Sequence, residues 1–251
     1  MPEKEMELIN VFQYWHGKRT PAVLRLEKVI ETMYNEERGY KYHRLTDDDM
    51  PDGIRVLLDR CRVPNVSDAF RYWLLYNYGG VWIDSDIVMR QPIDFHSILM
   101  RPEVVVSANA RHIKYFASTC ILAGNKGCFL FRKMLNFTMP VLKKGGAKIP
   151  YDIVGPNLVT RIMRNHKGRW YILTQHGYKQ QIVGFNRTEY RDDSNMQIYG
   201  KTIYGDSWTY SHFNGGNVRW WDNQGMPAGC VMGDTVERCE KDLGYKYECE
   251  I

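Results

Sequence analysis

Two aspartates separated by one residue, Asp84 and Asp86, are the clearest candidates for chemistry in this sequence of 251 residues. They follow Val81-Trp82-Ile83, a β-branched and aromatic run that predicts a buried strand. On extended backbone, side chains two residues apart point to the same side, so the two carboxylates would repel each other without a cation between them. Oxygen ligands of this kind suit Mg²⁺ or Mn²⁺, which bind one or two carboxylates together with substrate phosphates. The pair therefore predicts a metal site that handles a diphosphate, and a solvated loop end is the alternative.

The elements that must position this pair favour the metal site. Ser67 or Asp68 can serve as the N-cap of a helix that precedes the strand. Four apolar residues follow at helical spacing: Phe70, Trp73, Leu74 and Tyr78. Gly79-Gly80 is expected to end this helix, because glycine tolerates the left-handed conformation past a helix C-terminus. The aspartates then lie at the carboxyl end of a buried strand, where open α/β sheets bind their ligands.

The stretch from Ser67 to Asp86 resembles the sugar transferases that are defined by a DXD motif. The matching positions are Ser67, Asp68, Arg71, Tyr72, Leu75, Tyr76, Gly79, Gly80, Asp84 and Asp86. That family includes yeast mannosyltransferases and capsular-polysaccharide transferases, and the catalytic domains of large clostridial toxins have a similar core. The resemblance implies an α/β fold of the GT-A type, with a mostly parallel sheet flanked by helices. It also implies transfer of a sugar, with retention of anomeric configuration, from a nucleotide-diphosphate donor to a hydroxyl acceptor on a glycan.

Residues for the donor sugar are expected on the helix before the strand. Asp68 and Arg71 are three positions apart and share a helix face, which a plain salt bridge would also explain. The resemblance implies that both hydrogen-bond the hydroxyls of the donor sugar, with Tyr72 beside them as a further substrate-binding candidate.

Residues for the nucleoside are expected near the N-terminus. Leu8 to Trp15 predicts a first strand that runs into the turn at His16, and Pro21 opens a helix that is expected to reach about Glu37. Strand, glycine turn and helix form the first half of a nucleotide-binding unit. By the resemblance, Trp15 and His16 are candidates for contacting the base or the ribose, and a core aromatic is the alternative for Trp15.

Residues for the acceptor are expected at two further places. The run Val104–Asn109 predicts a buried strand whose last residue, Asn109, would lie near the acceptor. Relatives often have Thr-Gly-Pro where this chain has Val154-Gly155-Pro156. Asp152 and Asn157 are the polar groups nearest that place and are the candidates for orienting the acceptor or stabilising oxocarbenium-like charge. An N-cap and a turn residue are the alternative.

A second motif, Ser211-His-Phe-Asn-Gly-Gly-Asn-Val-Arg, resembles the C-terminal signature of the same family. The resemblance implies that His212 completes a metal site with Asp86, while Asp84 reaches the ribose or a metal-bound water. Glycines at 215 and 216 (Gly215, Gly216) let backbone N–H groups approach the diphosphate, and Arg219 supplies charge-assisted hydrogen bonds. The predicted cofactor is Mn²⁺ or Mg²⁺, and an imidazole ligand suits Mn²⁺ better.

Net charge, hydropathy and cysteine spacing indicate which other classes of protein the chain does not resemble. The net charge of +5 suits phosphate-bearing ligands, but no dense Lys/Arg block or reading motif indicates nucleic-acid binding. No apolar run reaches the length of a membrane span and the N-terminus has no signal-peptide pattern, so a cytoplasmic protein is expected. The six cysteines show no zinc spacing and are expected to be reduced thiols. One domain over residues 1–221, with a lid from about 205, and a polar extension over 222–251 are predicted.

Two other functions remain open beside a metal-dependent glycosyltransferase of the hexosyltransferase type. A metal-dependent nucleotidyltransferase or pyrophosphatase would also use paired aspartates, but it would not explain Asp68-x-x-Arg71 or the loop after His212. A non-catalytic nucleotide- or glycan-binding descendant is the other alternative. A second acidic run, Asp47-Asp48-Asp49, is interpreted as the solvated start of a helix rather than as a metal site. A short helix is expected from Ile54 to Cys61.

Overall fold

The computed structural model describes residues 7–89, 92–100, 104–109, 116–166, 170–173, 182–184, 210–212, 240–241 and 243–244. The chain divides into two compact units. The first unit comprises Met1–Gly17, Asn35–Ile83 and Asp94–Leu173, and the second comprises Lys18–Tyr34, Asp84–Ile93 and Thr174–Ile251. The single domain over residues 1–221 stays a prediction.

Strands and helices alternate along most of the described chain. The strands are β1 (Ile9–Tyr14), β2 (Tyr40–Leu45), β3 (Gly80–Ile83), β4 (Ile87–Met89), β5 (Val104–Asn109), β6 (Phe116–Gly124), β7 (Trp170–Leu173), β8 (Ile182–Gly184) and β9 (Tyr210–His212). The helices are α1 (Pro21–Met33), α2 (Asp52–Arg55), α3 (Val63–Tyr78), α4 (Phe95–Leu99), α5 (Phe129–Gly145) and α6 (Pro156–Asn165).

Six strands of the first unit form one sheet in the order β2-β1-β3-β6-β5-β7. Strand β1 pairs in parallel with β2 and β3, and β5 pairs in parallel with β7. Strand β6 is antiparallel to both of its neighbours, β3 and β5. Since β6 alone among these six strands runs against the others, the predicted mostly parallel α/β sheet is confirmed. All four residues of β3 are buried, as expected for a central strand covered on both faces.

Helix α3 is the most deeply buried helix of the first unit and packs against α5. It begins at Val63, with Pro64 in its first turn, so the prediction that Ser67 or Asp68 is the N-cap is wrong. Proline favours the first turn because it lacks the N–H that would be unsatisfied there. Ser67 and Asp68 lie instead in the helix interior, where both are buried. The predicted end at Gly79 is confirmed, with a φ of 67°.

Two other helix predictions need correction. Helix α1 begins at Pro21 as expected but ends at Met33, because Asn35 starts a separate 3₁₀ turn by accepting a hydrogen bond from the Arg38 N–H. The helix expected from Ile54 to Cys61 is wrong, since α2 ends at Arg55 and turns follow. The run Asp47–Asp49 does start a short helix, which Thr46 caps.

In the second unit, three short strands form a separate sheet in the order β4-β9-β8. Strand β9 is antiparallel to β4 and parallel to β8. Helix α1 packs against β4. Among all the helices that the structure describes, none is long and apolar enough to cross a membrane.

Candidate functional site

The pair Asp68 and Arg71 lies on α3 in the first unit, and both side chains are buried. Arg71 Nε is 3.3 Å from Asp68 Oδ1, which is the ion pair that the spacing indicated. The guanidinium also donates to the Thr119 carbonyl oxygen on β6, and it lies over the Trp82 ring with 4.8 Å to the ring centroid. These contacts fix the orientation of Arg71 and hold a charge beside Asp68, as a planar guanidinium does better than an ammonium. Binding of a sugar by the pair stays a prediction.

The loop before α6 packs directly on Asp68. A Cβ atom built at Gly155 would overlap with the Asp68 Oδ2 atom, so this position has no room for a side chain. Tyr72 donates a hydrogen bond from its hydroxyl to the Val154 carbonyl oxygen at 2.9 Å, which ties the same loop to α3. The family motif includes Gly155 but does not indicate its contact with Asp68, because that contact depends on two segments that are far apart in sequence.

The two candidates for the acceptor, Asp152 and Asn157, lie in this loop and at the start of α6. The Asn157 side-chain amide donates to Asp152 Oδ2, and its backbone N–H donates to the Asp152 carbonyl oxygen at 3.0 Å. They therefore form a local turn, which agrees with part of the alternative interpretation, whereas the N-cap of α6 is Gly155. Their catalytic role stays a prediction. Tyr151 and Ile153, on either side of Asp152, are 52% and 38% exposed.

His16 follows β1 and contacts Asp47, which follows β2. The His16 Nδ1 atom lies 3.1 Å from Asp47 Oδ1 and 3.0 Å from Oδ2, and the Tyr14 hydroxyl donates to Oδ1 at 2.6 Å. Because β1 and β2 are parallel, this cluster lies at the carboxyl ends of two neighbouring strands, where open α/β sheets bind ligands. The acidic run indicates a solvated helix start but not this contact, because the contact depends on β1 and β2 being adjacent. Trp15 is buried, which fits the core alternative, and its predicted contact with the nucleoside is untested.

In the second unit, Asp84, Ser85 and Asp86 form a turn between β3 and β4. The Ile87 N–H donates to the Asp84 carbonyl oxygen at 3.0 Å, and this hydrogen bond closes the turn. The expectation that the two aspartates continue an extended strand is therefore wrong, because β3 ends at Ile83. Ser85 is buried, whereas Asp84 and Asp86 are partly exposed.

The strand β9 brings His212 next to this turn. In the β4–β9 pairing, His212 is opposite Ile87, the residue directly after Asp86. Two carboxylates and an imidazole on neighbouring backbone are a donor set that fits Mn²⁺ and, less well, Mg²⁺. Among the described residues, no group of three or more His, Cys, Asp or Glu side chains is gathered in metal-binding geometry.

The remaining predicted site residues lie either at the end of β5 or outside the described residues. Asn109 is the last residue of β5 and pairs with Phe116 of β6. Gly215, Gly216 and Arg219 lie outside the described residues, as does most of the predicted lid.

Comparisons with known proteins agree with this architecture. Residues 21–105 match the family model described as a glycosyltransferase sugar-binding region containing a DXD motif. No curated protein sequence matches the chain significantly.

Three solved structures with a similar fold are distant from this chain in sequence. A glycosyltransferase involved in glycosylation of the major capsid of PBCV-1 is 14% identical, with a TM-score of 0.51 over 86% of this chain and 98% of that one. The galactosyltransferase LgtC in complex with donor and acceptor sugar analogues is 11% identical, with a TM-score of 0.53 over 96% and 98%. The bifunctional WbbM is 11% identical, with a TM-score of 0.53 over 97% of this chain and 50% of that one. At these identities the likeness shows a shared GT-A fold.

Proposed function

We propose that this chain transfers a sugar from a nucleoside-diphosphate donor to a hydroxyl group of a glycan, because residues 21–105 match a DXD-motif sugar-binding region of glycosyltransferases and the fold is of the GT-A type. A UDP-sugar is the favoured donor and a GDP-sugar the next. The reaction is proposed to depend on Mn²⁺ or Mg²⁺ and to retain the anomeric configuration.

The observation that carries this proposal is the pairing of β4 with β9. It joins two segments that are far apart in sequence, and it sets His212 opposite Ile87, next to Asp86. Asp86 and His212, together with Asp84, would hold the cation. When bound, the cation supplies positive charge that neutralises the leaving diphosphate, as metals do in other displacements at phosphate.

Asp68 and Arg71 are proposed to bind the donor sugar. Arg71 is held by the Thr119 carbonyl oxygen and by Trp82, so the charge beside Asp68 needs little reorganisation when the substrate binds. Preorganised charged groups of this kind stabilise developing charge more than mobile ones do. A sugar hydroxyl can donate to a carboxylate such as Asp68 and accept from a guanidinium such as Arg71 at the same time.

The proposed reaction needs no protein nucleophile. The acceptor oxygen forms a bond to the anomeric carbon on the face that the diphosphate leaves, and the bond from that carbon to the phosphate oxygen breaks. The proton of the acceptor hydroxyl passes to the leaving phosphate oxygen. Asp152 is the proposed orienting group for the acceptor, with the exposed Tyr151 and Ile153 beside it as apolar contacts.

The first test is calorimetric titration of UDP and of GDP into the protein, with Mn²⁺ and then with EDTA. We expect one nucleotide to bind only with Mn²⁺, and the Asp86→Ala variant to bind at least about 100-fold more weakly, since a direct ligand is lost. Asp59→Ala removes an exposed aspartate outside the site and is the matched control. If neither nucleotide binds to the folded protein, the proposal is wrong.

Product analysis separates the competing reactions. Incubation with UDP-sugars and Mn²⁺ should release UDP and free sugar slowly when no acceptor is present. A pyrophosphatase would instead release UMP and a sugar phosphate, and a non-catalytic descendant would release nothing while still binding the nucleotide.

A further inference from the structure

A buried carboxylate on α1 contacts the middle residue of the Asp84-Ser85-Asp86 turn. The Glu27 side chain is completely buried, and its Oε1 atom accepts a hydrogen bond from the Ser85 hydroxyl at 3.2 Å. Its Oε2 atom accepts one from Arg19 Nε at 2.8 Å. Ser85 is itself only 3% exposed. One carboxylate therefore connects an arginine before α1 with the residue that separates the two candidate metal ligands.

The burial of Glu27 has an energetic cost that its contacts must offset. An ionised carboxylate loses its hydration in the interior, and it is tolerated there when it is paired with a cation and hydrogen-bonded. Arg19 supplies the opposite charge and Ser85 supplies a neutral donor. A well-packed apolar side chain could fill the same space at no such cost, which makes a role in orienting the turn the better explanation of an acid at this position.

Helix α1 also holds the other end of the same segment. The Tyr34 hydroxyl, at the C-terminal end of α1, accepts a hydrogen bond from the Ile93 N–H at 2.8 Å and donates to the Ile93 carbonyl oxygen at 3.5 Å. Between the two attachments, Ile87 is fully buried. The chain is thus attached to α1 at Ser85 and, through Tyr34, at Ile93, and β4 lies between these two residues in the sequence.

We propose that Glu27 is a positioning residue for the metal site: it holds Ser85 so that Asp84 and Asp86 keep the orientation that cation binding requires. This inference rests on the proposed function, because it takes the two aspartates as the cation site. Groups that hydrogen-bond around metal ligands typically change metal affinity about 10- to 100-fold when they are removed. Glu27 touches neither substrate nor cation in this assignment and acts through Ser85.

The experiment measures Mn²⁺ affinity rather than turnover. Mn²⁺ is titrated into the protein in the presence of excess UDP, or of excess GDP if GDP is the nucleotide that binds. Electron paramagnetic resonance measures the free Mn²⁺, and thermal unfolding is recorded for each variant. Ser85→Ala removes the hydroxyl but leaves Glu27 paired with Arg19, so the variant should remain folded. We expect its Mn²⁺ dissociation constant to rise about tenfold. Ser97→Ala removes another serine-to-carboxylate hydrogen bond, to the exposed Asp94, and should leave Mn²⁺ affinity unchanged.

A pair of variants at Glu27 separates hydrogen bonding from packing. Glu27→Gln keeps an oxygen that accepts from Ser85, so its Mn²⁺ affinity should stay within about threefold of wild type, whereas Glu27→Leu should lose about tenfold. A merely structural role for Glu27 would lower the melting temperature of both variants and leave Mn²⁺ affinity unchanged in whatever protein stays folded. Folded Ser85→Ala with wild-type affinity overturns the inference, even if neither Glu27 variant can be purified.

The outcome for the wild-type protein keeps this inference apart from the proposed function. If the wild type shows no Mn²⁺-dependent binding of UDP or GDP, the proposed function fails and the inference fails with it. If the wild type binds and Ser85→Ala binds equally well, the proposed function stands and only the role of Glu27 is refuted.

Discussion

Each of the two units contains a buried helical carboxylate paired with an arginine, and the two pairs are built differently. In the first unit, Asp68 pairs with Arg71 one turn further along the same helix. In the second unit, Glu27 pairs with Arg19, which precedes the helix and whose side chain is 13% exposed. Asp68 packs against the backbone at Gly155, whereas Glu27 accepts a hydrogen bond from the Ser85 side chain.

The difference lies in how many elements hold each pair. Arg71 is bound to α3, to β6 through the Thr119 carbonyl oxygen, and to β3 through the Trp82 ring. A change at Arg71 should therefore affect the packing of the whole first unit. The side chain of Glu27 contacts Arg19, which precedes α1, and Ser85 in the turn. A change at Glu27 should therefore affect the orientation of that turn more than global stability. Stability and ligand affinity are thus expected to respond differently in the two units.

The largest effect on stability is expected for Arg71→Lys. An ammonium group cannot keep the planar set of contacts with Asp68, Thr119 and Trp82, and charged hydrogen bonds in the interior are worth about 1.5–3 kcal/mol each. We expect the free energy of unfolding, measured in urea, to fall by about 2–3 kcal/mol. Arg161→Lys is the control, because Arg161 lies over the Phe137 ring at an exposed position and should change stability by less than about 0.5 kcal/mol. Equal losses in the two variants would contradict the role given to Arg71.

The next largest effect is expected for Gly155→Ala, which tests the contact between the loop and Asp68. The added methyl group would overlap with the carboxylate and force either the loop or Asp68 to move. Overpacking of this kind typically costs about 1–3 kcal/mol, and the displaced Asp68 should raise the KM for the donor. Gly53→Ala is the matched control, since a Cβ atom there meets nothing within 4 Å. A donor KM equal to that of the control would show that the contact between Gly155 and Asp68 does not affect donor binding.

A smaller effect is expected where the C-terminal segment meets α1. Arg25 donates from Nε and Nη2 to the two carboxylate oxygens of Glu240 at 2.6 and 2.7 Å, and Glu240 is only 3% exposed. Glu240→Gln removes the charge from this bidentate pair and should lower the unfolding free energy by about 1–2 kcal/mol. Glu31→Gln, in the exposed pair with Lys28, should cost less than about 0.5 kcal/mol. No difference between the two would mean that residues near 240 add nothing to the stability of the second unit.

The elements around Asp68 and Arg71 could be predicted from the sequence, because each of them depends on residues that are close together in the chain. The helix with Asp68 and Arg71, its end at Gly79 and the buried strand after it all follow from residues within about one turn or strand of each other. The mostly parallel sheet followed from the family resemblance. The error at the start of α3 has a local cause as well: Pro64 outweighed Ser67 and Asp68 as a signal for the first turn.

What could not be predicted depends on contacts between distant segments. Glu27 contacts Ser85 across 58 positions, and Arg25 contacts Glu240 across 215. At the sequence level Glu27 is one more charged residue on an amphipathic helix, and nothing local distinguishes it from the exposed Glu31. His16 and Asp47 likewise meet only because β1 and β2 are adjacent and parallel. When strand order brings two side chains together, their contact can be identified only once the fold is known.

The smallest effect concerns acid, and it should appear in the first unit. Burial lowers the pKa of His43, and nearby Lys41 lowers it further; the ring stacks on Phe12 and lies 2.9 Å from Asn10 Oδ1. With a folded pKa below the unfolded value of about 6.5, the unfolded chain binds more protons as the pH falls through that value, so stability declines there. His43→Gln cannot take up this proton. The variant should therefore lose less unfolding free energy than wild type between about pH 7.5 and about pH 5.5, measured by urea titration at each pH. Because His43 lies on β2, which pairs with β1, hydrogen exchange should become faster in these two strands as the pH falls. If His43→Gln loses as much unfolding free energy as wild type, another group is responsible for the acid sensitivity.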